Sequence, residues 1–259
     1  MSMIKTAEEI EIMRQGGAIL SRVLGEVVAR IVPGAITLEL DELAERRMRE
    51  AGGEPSFKGY KTRGAKTAFP SSLCISINDE VVHAPATPSR ALKEGDITGL
   101  DIGVRYKGYC TDMAVTIGVG KVSREAKRLM SVTRDSLMRG VSAVKPGNFV
   151  SDIGKAVQGY AEKNGFSIVR DLVGHGVGKG VHEEPKVPNY FDEDLPPVEL
   201  KPGLVIAIEP MVNVGDCEVR TLGDGWTIVT SDCSLSAHFE MTVAVTDIGY
   251  EILTPLPRL

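Results

Sequence analysis

Cysteine is scarce in this sequence. The four present, Cys74, Cys110, Cys217 and Cys233, stand far apart with no CxxC pair. That spacing excludes a disulfide framework and a thiolate-bound structural zinc, and leaves reduced thiols in a reducing compartment, so a cytoplasmic location is expected. Positive charge is not in excess: 30 Lys and Arg against 35 Asp and Glu give a net charge of −5. A general nucleic-acid binder needs clustered cations, so none of that kind is expected. Long apolar runs are missing too. No stretch approaches the ~20 apolar residues of a membrane span. The start, MSMIKTAEEIEIMRQ, carries Lys5, Glu8 and Glu9 where a signal peptide would be apolar. Low-complexity segments and long linkers are absent as well.

What is there suits a globular chain with an ample core, 42% hydrophobic and 25% charged over 259 residues. Such a length fits one compact domain or two packed halves. Apolar residues at helical spacing predict a helix from about Ala7 to Val32, stopped by Pro33-Gly34. A second helix is expected from Thr37, read as its N-cap, to Gly52-Gly53. LCISINDEVVHAP reads as a strand entering a turn, and ITGLDIGVRYKGYCTDMAVTIGV as a hairpin around Tyr106-Lys107-Gly108. A basic amphipathic helix follows from about Ser123 to Val144.

Three markers then recur in the same order. Pro33-Gly34 and Pro146-Gly147 each precede a helix. Val82-His83 and Val181-His182 each close a strand-like segment. LKEGDITGLDIG from Leu92 aligns without gaps on LKPGLVIAIEPM from Leu200, with Asp101 falling on Glu209. The chain therefore reads as a single domain of two duplicated halves, about 1–119 and 120–259, sharing a central cleft.

A turn at Tyr106-Lys107 would make Asp101 and Asp112 direct cross-strand partners, an arrangement that like charges destabilise. A bridging Arg or Lys would satisfy such a pair as well as a metal ion. Glu209 in GLVIAIEPMV and Glu240 in AHFEMTVAV shift the balance. They bring to four the acids in apolar, strand-like runs whose cores hold no Lys or Arg. Divalent metal is the simplest solution. Oxygen ligands plus one imidazole, without thiolates, suit Mn, Fe(II), Co or Zn.

GHGVGKG sets glycine at 174, 176, 178 and 180. Val173 breaks the Walker pattern and no hydroxyl follows Lys179, so the segment is not a phosphate loop. The glycines let backbone pack closely while His175 projects into the cleft. A histidine taken alone is more often structural, but the matching positions of His83 and His182 favour a functional role for both.

These stretches, with LELDELAE, VGHGVGKGVHEEP, IAIEPMV and DGWTIVTSDCSLSAHFEMTVAVT, closely resemble the type I methionine aminopeptidases over nearly the whole chain. The resemblance implies the pita-bread fold, an α/β (α+β) architecture with pseudo-two-fold symmetry, antiparallel sheets and flanking helices around a central cleft. It implies that Asp101, Asp112, His175, Glu209 and Glu240 hold two divalent ions, with Asp112 and Glu240 bridging them. It makes His83 and His182 catalytic imidazoles that bind substrate without ligating metal, and Glu209 the proton carrier. Tyr60, Phe69, Cys74 and Trp226 match the pocket for the methionine side chain, although Cys74 and Trp226 on their own read as core residues. Four features depart from the family pattern: a longer 61–68 segment, Ala84 after His83, Val181 where a larger aromatic is frequent, and Met241 after the last ligand. Val181 would leave the pocket roomier.

The implied activity is removal of the initiator methionine from new polypeptides with a small second residue, by a monomeric enzyme. Two readings compete. One is a proline-directed aminopeptidase P or prolidase, which typically adds an N-terminal domain not seen in this sequence. The other is a non-catalytic pita-bread binding module, which would have lost ligands. The basic helix with Arg124, Lys127, Arg128, Arg134 and Arg139 suggests a transient ribosome contact, with a solvated charged face as its default reading.

Overall fold

The computed structural model describes residues 3–61 and 67–258. Helix α1 (Ala7–Val28) starts at Thr6, whose hydroxyl accepts from Glu9 N while the Glu9 carboxylate accepts from Thr6 N. This reciprocal cap satisfies two backbone donors at once. The helix ends at Val28 rather than Val32, because Pro33 disfavours helical backbone just before it. In helix α2 (Thr37–Glu50), Thr37 is the first helical residue and Ile36 the N-cap, contrary to expectation. The Thr37 hydroxyl is committed elsewhere: it donates to Ala86 O at 2.8 Å and accepts from Arg90 N at 2.9 Å. Helix α3 (Arg124–Ser142) is capped by Ser123, and α4 (Val150–Lys163) follows.

One nine-stranded, antiparallel sheet forms the centre. Its main path runs Glu54–Pro55, Ile97–Tyr106, Tyr109–Gly118, Glu240–Val245, Val205–Ile208, Gly174–Gly176, Glu183–Val187. Leu73–Ile77 also pairs with Ile97–Tyr106, and Tyr250–Ile252 with Glu240–Val245. Helix α1 packs so tightly that a Cβ on Gly17 would sit 1.9 Å from Leu253 O. On α2, buried Asp41 accepts from Ser72 N at 2.7 Å and Leu73 N at 2.8 Å, which fixes the entry to the strand that carries Cys74.

The LCISINDEVVHAP segment is two strands, Leu73–Ile77 and Glu80–Val82, rather than one. The hairpin register also differs from expectation. Tyr106 pairs with Tyr109, and the two-residue turn is Lys107-Gly108, with φ of 47° and 86°. Positive φ at both turn residues is the type I′ geometry that matches strand twist. Asp112 therefore faces Gly103, and Asp101 faces Ala114. The shift is two residues, so both acids keep the same face of the sheet.

After each Pro-Gly the same backbone bonds recur. Gly34 N donates to Leu92 O at 2.8 Å, and Gly147 N to Leu200 O at 3.2 Å. Leu92 N donates to Ala35 O and Leu200 N to Asn148 O, while the bridges Ile36–Ala91 and Phe149–Glu199 complete the correspondence. The Val-His marker does not carry over in the same way. His83 follows the Glu80–Val82 strand, whereas His182 precedes Glu183–Val187. Among the described residues no helix is long and apolar enough to cross a membrane.

Candidate active site

Five neighbouring strands of the sheet each deliver one group to a single place. In sheet order these are Asp101, Asp112, Glu240, Glu209 and His175, with Glu209 one residue beyond the end of its strand. Ala114 lies opposite both Asp101 and Glu240, so its methyl leaves room between the flanking acids. Ligand atoms of Asp112, His175 and Glu240 lie within 4.8 Å of one another. His175 Nε2 is 3.4 Å from Glu209 Oε1 and 4.0 Å from Glu240 Oε1.

The glycines beside His175 serve close approach, as expected. A Cβ on Gly174 would lie 2.4 Å from Ala207 O, and one on Gly176 2.1 Å from Glu184 O. The imidazole Nδ1 is 3.0 Å from Gly176 O. A carbonyl only accepts, so Nδ1 carries the proton and Nε2 offers its lone pair to the acids' side.

Burial drives every ionisable group here toward its neutral form. It raises Asp101 to about 7 and Glu209 to about 8. Asp112 and Glu240 are pushed well above the carboxylate range by burial and then by neighbouring acids. His175 falls to about 3 and His83 to about 4, again through burial first and the nearby His182 second. His182 is lowered by burial, and the Cys74 thiol is held well above its usual value by burial and by Asp101. Cys74 is thus a neutral thiol, opposite Asp101 on the adjacent strand.

All eleven residues singled out from the sequence line one cavity of about 730 Å³. Tyr60 Oη is 2.8 Å from His182 Nδ1, with the rings edge-on at 5.2 Å. The His175 and His182 rings meet edge-on at 4.4 Å, and Phe69 and Trp226 at 5.3 Å. His83 holds φ of 60°, in the left-handed region that few non-glycine residues adopt. Phe69 N donates to Tyr60 O and Gly59 N to Phe69 O, so the 61–68 segment leaves from a closed base. Its middle, residues 62–66, lies outside the described residues.

The other departures from the family pattern sit outside the cavity lining. Val181 is buried and is not itself in the cavity lining, but it packs in the same apolar cluster as the lining residues Phe57, Phe69 and Cys74. Ala84 is buried, with its carbonyl bonded to Ile75 N. Met241 alternates with Glu240 and joins the main core on the opposite face. Sequence reasoning missed the apolar lining from Phe57, Leu172, Met211 and Ile228, which no local pattern distinguishes from core. It also missed His238, only 3% exposed, whose Nε2 is 3.5 Å from Glu209 Oε2. Its position two residues before Glu240 was the available signal.

The basic helix spends several of its cations locally. Arg128 lies over Phe166 and donates to Asn164 O, Arg134 pairs with Asp135, and Arg139 lies over Tyr160.

The chain is 46% identical to methionine aminopeptidase 1 of Bacillus subtilis over 254 residues, covering 98% of this chain and 99% of that protein. It is 43% identical to the methionine aminopeptidase of Salmonella typhimurium over 252 residues, covering 97% and 93%. The crystal structure of methionine aminopeptidase from Thermotoga maritima superposes with a TM-score of 0.92 at 41% identity, covering 97% of this chain and 98% of that one. Prolidase from Pyrococcus furiosus shares the fold alone, at TM-score 0.75 and 23% identity, and this chain spans 66% of its length. The architecture is the expected pita-bread fold. With the model of metallopeptidase family M24 matching residues 11–247, the chain belongs to that family.

Proposed function

We propose that this protein removes the initiator methionine from new polypeptides whose second residue is small, using two divalent ions held by Asp101, Asp112, His175, Glu209 and Glu240. One observation carries the reading. Asp101 Oδ1, Asp112 Oδ1 and Glu240 Oε1 are buried oxygens without a hydrogen-bond partner among the described residues. Orphaned acceptors of this kind are costly unless a cation meets them. Among the described residues no Lys or Arg lies within ion-pair distance of the four acids; Glu209 and Glu240 meet only imidazoles there, which burial keeps neutral. The donor set of carboxylates and one imidazole, beside a neutral thiol, suits Mn, Fe(II), Co or Zn.

When bound, such ions supply Lewis acidity toward the scissile carbonyl and a nucleophile from water at neutral pH. The chain's own groups handle protons and orientation. Glu209 takes the proton of the attacking water and passes it to the leaving amine. With Tyr60 donating to His182 Nδ1, His182 Nε2 is the protonated nitrogen, and it donates to the carbonyl oxygen as negative charge develops there. His83, kept neutral by burial, hydrogen-bonds the peptide nitrogen. Tyr60, Phe69, Cys74 and Trp226 enclose the methionine side chain and exclude water from it.

The reading also takes the chain as one duplicated unit, with halves meeting near residues 119 and 120, supported by the recurring bonds after Gly34 and Gly147. It takes the protein as a monomer in the cytoplasm, and the four free cysteines support the reducing compartment alone. It keeps a transient ribosome contact through α3 as a proposal, although Arg128, Arg134 and Arg139 have partners within the chain.

Metal analysis of protein purified without chelators, with rates on Met-Ala, Leu-Ala and X-Pro peptides, tests the proposal. Two equivalents of metal and a strong preference for Met-Ala are expected. Preferred cleavage of X-Pro peptides would move the protein to the prolidase reading. Absence of both metal and turnover would leave a binding module.

A further inference from the structure

We propose that His238 is a positioning residue: its Nε2–H donates to Glu209 Oε2 and holds Glu209 with Oε1 turned toward His175. The inference rests on the reading of Glu209 as a metal ligand. The Glu209 carboxylate lies between two imidazoles, with His175 Nε2 3.4 Å from Oε1 and His238 Nε2 3.5 Å from Oε2. One oxygen therefore faces His175 and the other faces His238, which itself lies near Asp101.

His238 Nε2 is buried and has no hydrogen-bond partner among the described residues. A buried donor left unmade is costly, and Glu209 Oε2 is the acceptor within reach. Backbone anchoring keeps this pairing in place. His238 N donates to Thr116 Oγ1 at 2.9 Å, and the Thr116 hydroxyl donates to His238 O at 2.8 Å. On the other partner, Asn189 Nδ2 donates to Glu209 O at 3.1 Å. Both backbones are tied, which fixes the two Cα positions from which the side chains approach each other.

His83 and His182 line the cavity, whereas His238 does not. It has no route to substrate and acts through Glu209. A hydrogen bond from His238 to Oε2 would leave Oε1 as the oxygen free to hold a metal. It also limits the rotation that would blur both metal affinity and proton transfer. Outer hydrogen-bond partners of metal ligands typically contribute 10–100-fold in affinity or activity.

The test compares wild type, His238→Gln and His238→Leu by calorimetric titration of the metal-free proteins with Mn²⁺, and by kcat and KM on a Met-Ala peptide. Leucine fills the space without a donor, and glutamine restores an N–H at similar reach. His238→Leu is expected to bind Mn²⁺ on the order of 10–100-fold more weakly and to lose kcat with little change in KM. His238→Gln should return close to wild type. If wild type itself binds no Mn²⁺, the proposed function fails, and this inference with it. If wild type binds and His238→Leu matches it, or glutamine rescues nothing, the positioning role alone is overturned. Should the leucine variant not fold, nitrogen-15 spectra of the Zn²⁺-loaded wild type decide. A protonated Nε2 on His238 is expected, and an unprotonated one would overturn the assignment.

Discussion

His175 Nδ1 stands 3.0 Å from the carbonyl oxygen of Gly176, and this contact divides the two imidazoles of the glycine-rich segment by role. His175 must protonate Nδ1, which frees Nε2 for a metal. His182 instead has its Nδ1 on Tyr60 Oη at 2.8 Å, which suits an Nε2–H donor. His175→Ala should therefore weaken metal binding, with partial rescue by excess metal. His182→Ala should keep metal and lower kcat by about 10²–10³-fold, the scale for one preorganised donor. KM should change less. Metal stoichiometry and steady-state kinetics on both variants check this, and loss of metal in His182→Ala alone would reverse the roles.

In the proposed function the Tyr60 hydroxyl, 2.8 Å from His182 Nδ1, would orient His182 rather than touch the reacting bond. Tyr60→Phe removes one hydrogen bond, about 1–1.5 kcal/mol, and kcat should fall roughly ten-fold. Metal content should stay the same, because Tyr60 contacts no carboxylate of the cluster. A kcat equal to wild type would show that the tautomer of His182 is set by something else.

Removing metal should invert the pH dependence of stability. Burial raises Asp101 from 3.8 to about 7 and Glu209 from 4.5 to about 8 in the folded chain. The folded state then binds more protons at these acids than the unfolded state does, which lowers stability as pH rises. Below pH 6.5 the site histidines, lowered by burial, work the other way, because the unfolded chain protonates them and the folded chain does not. Above 6.5 only the raised acids still bind extra protons in the folded state, so melting temperatures of metal-free protein should drop between about pH 6.5 and 8. The metal-loaded protein should be more stable and lack the decline, since ligands that bind only the native state stabilise it. A metal-free protein that gains stability over the interval would contradict the burial argument.

Gly176 tests the close approach that seats His175. A Cβ there would meet Glu184 O at 2.1 Å, so Gly176→Ala must displace backbone. Its cost should lie at the top of the roughly 1–3 kcal/mol range for overpacking, with metal affinity lost in parallel. Urea unfolding and metal titration of the variant measure the two effects. Full stability would mean that the strand shifts freely.

Specificity should follow the aromatic walls. Trp226 and Phe69 meet edge-on at 5.3 Å, so Trp226→Ala opens one side of the pocket. The variant should lose about 1–3 kcal/mol of discrimination, the scale for an apolar pocket contact, since Trp226 is only partly buried. Its preference for Met over Leu at the first position should narrow accordingly in competition assays.

Much of the site was legible in the sequence because its chemistry conflicts with its surroundings. Asp101, Asp112 and Glu240 stand in apolar strands and Glu209 at the end of one, and an acid in such company calls for a cation wherever the strands lie. The repeat of LKEGDITGLDIG and LKPGLVIAIEPM was also readable, since duplicated segments keep their spacing. Tertiary structure decided what depends on pairing. The turn at Lys107-Gly108 moved Asp112 opposite Gly103, because backbone twist at positive φ, not the position of the acids, sets the register. Sheet order brought Glu209 and His175 beside Glu240, a neighbour relation that no sequence separation encodes. The approach of His238 Nε2 to Glu209 Oε2 and the packing of Val181 with the lining residues Phe57, Phe69 and Cys74 belong to the same class. Side-chain direction follows from how distant strands pack, and that is settled only when the whole sheet has formed.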